Sequence, residues 1–219
     1  MLHGNRLLGV EGWVSRLSRL SSFRVRFRAL RDPAEEKERG KMIRPEKMLS
    51  TGADRVALTE TLRGLADRYA GVAQEVLGDN LTSVVLFGSV ARGEAGPRSD
   101  VDLLVVCRDL PRGAFRRREA LGPIRERLQE DLDRLWAEGI TTDVIEVIKT
   151  EAEARRTHLL YLDMTEEAVL LFDRDGFFGD VLAGLRRRLT ELGAVRRRLG
   201  DVRYWDLKPD FKPGEVIEL

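Results

Sequence analysis

Residues 81–107 read LTSVVLFGSVARGEAGPRSDVDLLVVC, two seven-residue apolar runs separated by a short polar segment. LTSVVLF (81–87) and VDLLVVC (101–107) are rich in β-branched residues and short, so each reads as a buried strand. Gly88 and Ser89 follow the first run, and the ten residues VARGEAGPRS then lead to Asp100. Gly93, Gly96 and Pro97 let this segment turn back sharply, so the second strand can pair beside the first. Whatever else the chain does, it must build a sheet around these two runs.

Helical and strand-like stretches alternate along the rest of the chain. Residues 53–77 carry a helical stripe that includes Val56, Leu62, Leu65, Tyr69 and Val72, and Gly78-Asp79-Asn80 ends it. A charged amphipathic segment covers 115–139, with Pro123 interrupting or restarting it. A third strand is expected at TTDVIEVIKT (141–150), a helix near 151–158, a strand at 168–173 and a long helix over 177–200. The tail YWDLKPDFKPGEVIEL is expected to be irregular. The pattern predicts an α/β (α+β) fold, a small mixed sheet flanked by helices with a C-terminal helix and irregular tail. The expected organisation is an extension over 1–47, a domain over 48–200 whose C-terminal part is helical, and a tail over 201–219.

The polar segment carries the chemistry. Gly88 lets backbone approach a ligand closely, because it lacks a Cβ. Ser89 offers a hydroxyl and an N–H at the start of a short helix, where free N–H groups suit phosphate. Asp100 and Asp102 stand at i and i+2 of a strand, so both side chains leave the same face. Two carboxylates so placed repel unless a cation sits between them, and oxygen-only donors suit Mg²⁺. Strand 141–150 offers a third carboxylate, and because Asp143 and Glu146 lie on opposite faces only one can join the pair. Asp143 is preferred and Glu146 is the second choice. Arg92 either touches phosphate or braces the loop through Glu94.

GSVARGEAGPRSDVDLLVV resembles the signature of the DNA polymerase β-like nucleotidyltransferase superfamily, and most of all its minimal bacterial and archaeal members. Gly88, Ser89, Ala91, Arg92, Gly93, Ser99, Asp100 and Asp102 fall in place with no gap. The resemblance is firm over residues 86–106 and weaker from about 55 to 190, and residues 159–214 look similar to the C-terminal half of a longer archaeal-type branch. It implies transfer of a nucleoside monophosphate from an NTP to an acceptor hydroxyl or phosphate, using Mg²⁺, with two ions in the site. It further implies Asp100 and Asp102 as metal ligands and Gly88 and Ser89 as triphosphate binders; at the third acid the sequence departs from a clean family pattern, because TTDVIEVI offers both Asp143 and Glu146. The acceptor stays open between a protein side chain, as in antitoxin-type relatives that adenylylate a partner toxin, a small molecule and an RNA end. A second reading is a non-catalytic, antitoxin-like partner-binding module of the same fold.

Composition narrows the remainder. Net charge is +1, but residues 1–48 carry 12 Lys and Arg against 6 Asp and Glu. Within them, Trp13, Leu17, Leu20, Phe23, Phe27 and Leu30 form the stripe of a basic amphipathic helix. That segment reads as an anionic-surface binder, a partner-docking helix, or an extension ahead of a start at Met42 or Met48. Cys107 is the one cysteine, which rules out an internal disulfide and a cysteine metal cluster. No stretch reaches the roughly 18 continuous apolar residues of a membrane span, and a cytoplasmic protein is expected. Nucleic acid as a partner has no support in the sequence beyond the Arg triplets 186–188 and 196–198, both placed on the late helix. Lys149 reads as an exposed strand-end residue, His158 as structural, and Trp136 and Trp205 as packing residues.

Overall fold

The computed structural model describes residues 52–200, 202–212 and 215–219. The basic stripe of residues 10–31 and the extension over 1–47 lie outside the described residues. No described helix is long and apolar enough to cross a membrane.

Helix α1 (Gly52–Leu77) leads through a turn at Gly78–Asn80 into β1 (Leu81–Phe87). The short α2 (Gly88–Ala91) follows, then β2 (Val101–Cys107), α3 (Ala114–Ala120) and α4 (Gly122–Ala137). Pro123 sits in the first turn of α4, where its missing N–H costs nothing, so the charged segment restarts there. Strand β3 (Val144–Thr150) and the one-turn α5 (Glu151–Ala154) come next. The Thr150 hydroxyl accepts the Glu153 N–H and the Glu153 carboxylate accepts the Thr150 N–H, a reciprocal cap that stops the strand at Thr150. Then come α6 (Leu160–Glu167), β4 (Val169–Asp173) and α7 (Phe177–Glu191).

The sheet has the order β3-β2-β1-β4. β1 runs antiparallel to both β2 and β4, and β2 runs parallel to β3, so the sheet is mixed. Alternate strand residues feed two cores. Val84, Leu86, Leu103 and Val105 pack with Leu62, Ala66 and Tyr69 of α1 and Ile124 and Leu128 of α4. Val85, Leu104 and Val106 pack on the other face with Ala154, Tyr161, Phe178 and Leu182. Fully burying a large side chain of this kind contributes about 1.5–3 kcal/mol, so the two helical layers hold the sheet from both sides. Cys107 is a buried core residue, and burial pushes its thiol pKa up to about 11, which leaves it inert.

The outer edge of β3 is guarded by arginines rather than by another strand. Arg125 of α4 donates to the Val144 carbonyl at 2.7 Å, and Arg117 of α3 donates to the Ile148 carbonyl at 3.4 Å. Charged groups on an edge discourage pairing with foreign strands.

Several expectations are corrected. The helix near 151–158 is one turn only, and a further helix, α6, follows it. The strand expected over 141–150 begins at Val144, so Asp143 lies just ahead of it. The helix expected over 177–200 ends at Glu191, because Gly193 adopts φ +68°. There the Ala194 N–H bonds the Leu189 carbonyl and the Gly193 N–H bonds the Thr190 carbonyl, the left-handed glycine closure of a helix. Beyond it β5 (Val195–Leu199) and β6 (Val202–Asp206) form an antiparallel hairpin that takes in the first three residues of the expected tail, while the described residues after Asp206 form no helix or strand. Arg196–Arg198 therefore lie on a strand, not on the late helix.

Candidate active site

The antiparallel register sets Phe87 of β1 opposite Asp102 of β2, so the end of one strand meets the start of the next. Gly88 follows with φ +76°, a region costly for any residue with a side chain. A Cβ on Gly88 would lie 2.3 Å from Asp102 Oδ2, so the close approach of this backbone to the carboxylate depends on glycine. Asp102 is largely withdrawn from water, and burial together with the neighbouring Asp100 charge lifts its pKa from 3.8 to about 6. Arg92 pulls the other way.

The loop between Gly88 and Asp100 is latched at several points. The Ser89 hydroxyl donates to Ser99 Oγ at 3.1 Å, and Ser99 Oγ also accepts the Gly96 N–H. The Glu94 N–H returns to the Ser89 carbonyl. Arg63 of α1 donates to the Val90 and Ala91 carbonyls at the end of α2. On the far side the buried Thr142 hydroxyl donates to the Ser99 carbonyl, and Trp136 Nε1 donates to the Thr142 carbonyl. Trp136 thus anchors the approach to β3 as well as packing.

The two acids of 141–150 separate cleanly. β3 runs parallel to β2, with Ile145 opposite Asp102 and Leu103 opposite Glu146. Glu146 therefore faces the α1/α4 side, away from Asp102. Its side chain is only 1% exposed, it accepts the Tyr69 hydroxyl at 2.8 Å and it pairs with Arg125 at 2.9 Å. Asp143, one residue ahead of β3, is exposed, and its Oδ1 accepts its neighbour's Val144 N–H at 2.7 Å. Among the described residues no three carboxylate, imidazole or thiol side chains are drawn into one metal-holding cluster. Asp100 and Asp102 are brought together and Asp143 is not.

Arg92 braces. It donates to Glu94 at 2.8 Å and to Glu167 at 3.3 Å. Arg203 of β6 also reaches both Glu94 and Glu167, and Arg196 of β5 pairs with Asp163, Glu166 and Glu167. Hydrogen bonds from Arg92 and Arg203 hold the Glu94 carboxyl below its usual range. This link from the C-terminal hairpin to the loop had no sequence signal, because Glu94 and Arg203 are 109 positions apart.

The oxygen donors of Asp102, crowded against Gly88, and of Asp100, whose charge raises the cost of ionising Asp102, are a set that fits a hard divalent cation. Comparison with known proteins agrees with the motif. The nucleotidyltransferase domain family matches residues 71–158, from the last turns of α1 past β3 and α5 to His158. A provisionally named protein adenylyltransferase of Methanocaldococcus jannaschii is 30% identical over 125 residues, 57% of this chain and 81% of that protein. The chain belongs to the nucleotidyltransferase family. Among solved structures, a provisionally named nucleotidyltransferase from Sulfolobus solfataricus has 23% identity and a TM-score of 0.31, covering 53% of this chain and 86% of that one. A complex of a tri-AMPylated Shewanella oneidensis HEPN toxin with its MNT antitoxin contributes a chain with 13% identity and a TM-score of 0.34, covering 60% and 92%. This nucleotidyltransferase carries its Gly-Ser pair and its Asp-x-Asp pair inside the matched segment, while α7 and the hairpin lie beyond it.

Proposed function

We propose that this nucleotidyltransferase moves AMP from ATP to a hydroxyl group of a protein. The acceptor hydroxyl oxygen bonds to the α-phosphorus, the bond from the α-phosphorus to the bridging oxygen breaks, and pyrophosphate leaves. The observation that carries the reading is the packing of Asp102, with the Asp100 charge beside it, against the glycine backbone at Gly88, where a Cβ would stand 2.3 Å from an Asp102 carboxylate oxygen. The protein acceptor is supported by the function assigned to the Methanocaldococcus relative.

Asp100 and Asp102 would hold the divalent cation, Mg²⁺ in the simplest case, which offsets their charge and that of the triphosphate. Gly88 and Ser89 bring backbone and a hydroxyl close to the phosphates, and the Ser89–Ser99 bond keeps that turn fixed. Arg92, held at Glu94 and Glu167, stands beside the pair as a positive charge. Asp143 joins once its carboxylate rotates off the Val144 N–H, and as the exposed acid of the three it takes the proton that the acceptor hydroxyl gives up.

The test is incubation of the full chain with α-labelled ATP, GTP, CTP or UTP, Mg²⁺ and lysate from its own source. Label from ATP should appear on a protein, be lost with EDTA, and be absent with Asp102→Asn. Label confined to RNA or a small molecule would overturn the acceptor, and transfer by Asp102→Asn at the normal rate would overturn the site.

A further inference from the structure

At the far end of β3 from Asp143, a surface cleft of about 470 Å³ is lined by Arg117, Lys149, Glu153, Arg156, Thr157 and His158, with backbone of β3 beneath. The volume is within the range of small-molecule sites, about 300–1,000 Å³. It is distinct from the Asp100/Asp102 site. Ile145 stands opposite Asp102, and Lys149 is four positions further along β3, roughly 13 Å at about 3.3 Å per residue.

The cleft is furnished almost wholly with donors. Its one acid, Glu153, is already engaged: Arg117 binds both oxygens, at 2.7 and 2.9 Å, and the Thr150 N–H donates to it at 3.0 Å. These bonds hold the Glu153 carboxyl down at about 2, so it stays charged and committed to Arg117. Arg156 has no acidic partner among the described residues. The Lys149 ammonium stands 5.9 Å from the Tyr161 ring centre, with no carboxylate bound to it among the described residues. His158 accepts the Leu160 N–H at Nδ1, which leaves Nε2 as the donor of the neutral ring. Burial and the Lys149 charge keep that ring neutral by lowering its pKa. Thr157 adds a hydroxyl.

A second observation comes from beneath the cleft. Tyr161 is fully buried, and its hydroxyl has no hydrogen-bond partner. Its ring lies under Lys149 and 6.1 Å from the His158 ring, and its phenol feels the Glu153 charge. A buried hydroxyl without a partner is costly, and the ring that carries it packs against Lys149 and His158 of the cleft.

We infer that this cleft is a second ligand site, which binds the phosphoryl group of a small phosphorylated molecule or free phosphate through Lys149, Arg156, Thr157 and His158. Cationic and hydroxyl donors with their one acid already engaged match a tetrahedral dianion, and charge-assisted bonds are the strong ones.

The experiment is an amide chemical-shift titration of the ¹⁵N-labelled full chain, in EDTA, with inorganic phosphate and separately with AMP. Saturable shifts at Lys149, Arg156, Thr157 and His158 are expected from at least one of the two. Arg156→Met and Lys149→Met should each weaken that binding about tenfold or more; Arg156 is exposed, so its variant folds even if the Lys149 variant does not. Equal affinity for both probes identifies free phosphate as the ligand, and tighter AMP identifies a phosphomonoester. Shifts confined to residues 88–102, no saturable shift with either probe, or unchanged binding by Arg156→Met would overturn the site.

Discussion

Gly88 and Asp102 touch so closely that the glycine hydrogen occupies the only space available: a Cβ would meet Asp102 Oδ2 at 2.3 Å. The contact joins the end of β1 to the start of β2, and Gly88 holds it with φ +76°.

Gly88→Ala should therefore abolish most transfer and cost about 1–3 kcal/mol in stability, the usual range for a strained backbone residue. At roughly 2–4 °C per kcal/mol, the melting temperature should fall by several degrees. Gly64→Ala is the control. Gly64 is exposed within α1 and nothing lies within 4 Å of its added Cβ, so this change should stabilise by about 0.5–1 kcal/mol without altering transfer. Thermal melts and labelled-ATP transfer on both variants decide it.

Asp143 and Glu146 should separate by the kind of damage. Asp143→Asn should lose at least about 100-fold in turnover, as expected for a proton acceptor or ligand, with little change in melting temperature. Glu146→Gln removes a buried charge that Arg125 and Tyr69 both use. It should cost roughly 2–4 kcal/mol while folded molecules keep most of their turnover. Rates normalised to the folded fraction check this, and the reverse order would place the third acid on the other face of β3.

Glu153→Gln should show a pH-dependent loss of stability. The Glu153 carboxyl is held down from 4.5 to about 2, first by Arg117 and then by the Thr150 N–H. A depressed acid contributes stability that is complete above its unfolded value and is lost as pH falls through the folded one. The variant should therefore melt lower at pH 7, by the equivalent of about 1 kcal/mol or less because the pair is partly exposed. The difference should close between about pH 4.5 and pH 2. Melting curves across that range provide the measurement.

Arg203→Ala should loosen the loop before β2 more than it lowers global stability. Arg203 joins β6 to Glu94 in the loop and to Glu167 in α6, through partly exposed pairs worth about 1 kcal/mol or less each. Hydrogen exchange should quicken at residues 93–99 while the β1 and β2 amides stay protected. Unchanged exchange in the loop would mean that Arg92 and Ser99 hold it without the hairpin.

Much of the site was legible because it is local. Gly88 and Ser89 follow the end of β1, Asp102 sits at the start of β2, and Asp100, expected on that strand, lies one residue ahead of it, so short-range spacing brings all four to one place. Strand lengths for β1 and β2, the interruption at Pro123 and the end of α1 at Gly78 follow equally from short-range rules. The helix expected over 177–200 failed at one residue. Gly193 closes α7 with a left-handed turn, and the Arg-rich run after it has no period that marks a strand.

Sequence by itself therefore determined the two strand ends, the Gly-Ser turn and the paired aspartates, since each depends on neighbours within a few positions. Tertiary structure decided the rest. The parallel register of β3 against β2 turned Glu146 away from Asp102 and buried it with Tyr69 and Arg125. Tertiary structure also tied Arg203 to Glu94 and gathered Lys149, Arg156 and His158 around one cleft. Those relations join residues distant in the chain or on different elements, and only the packing of helices on both faces of the sheet brings such side chains within bonding reach.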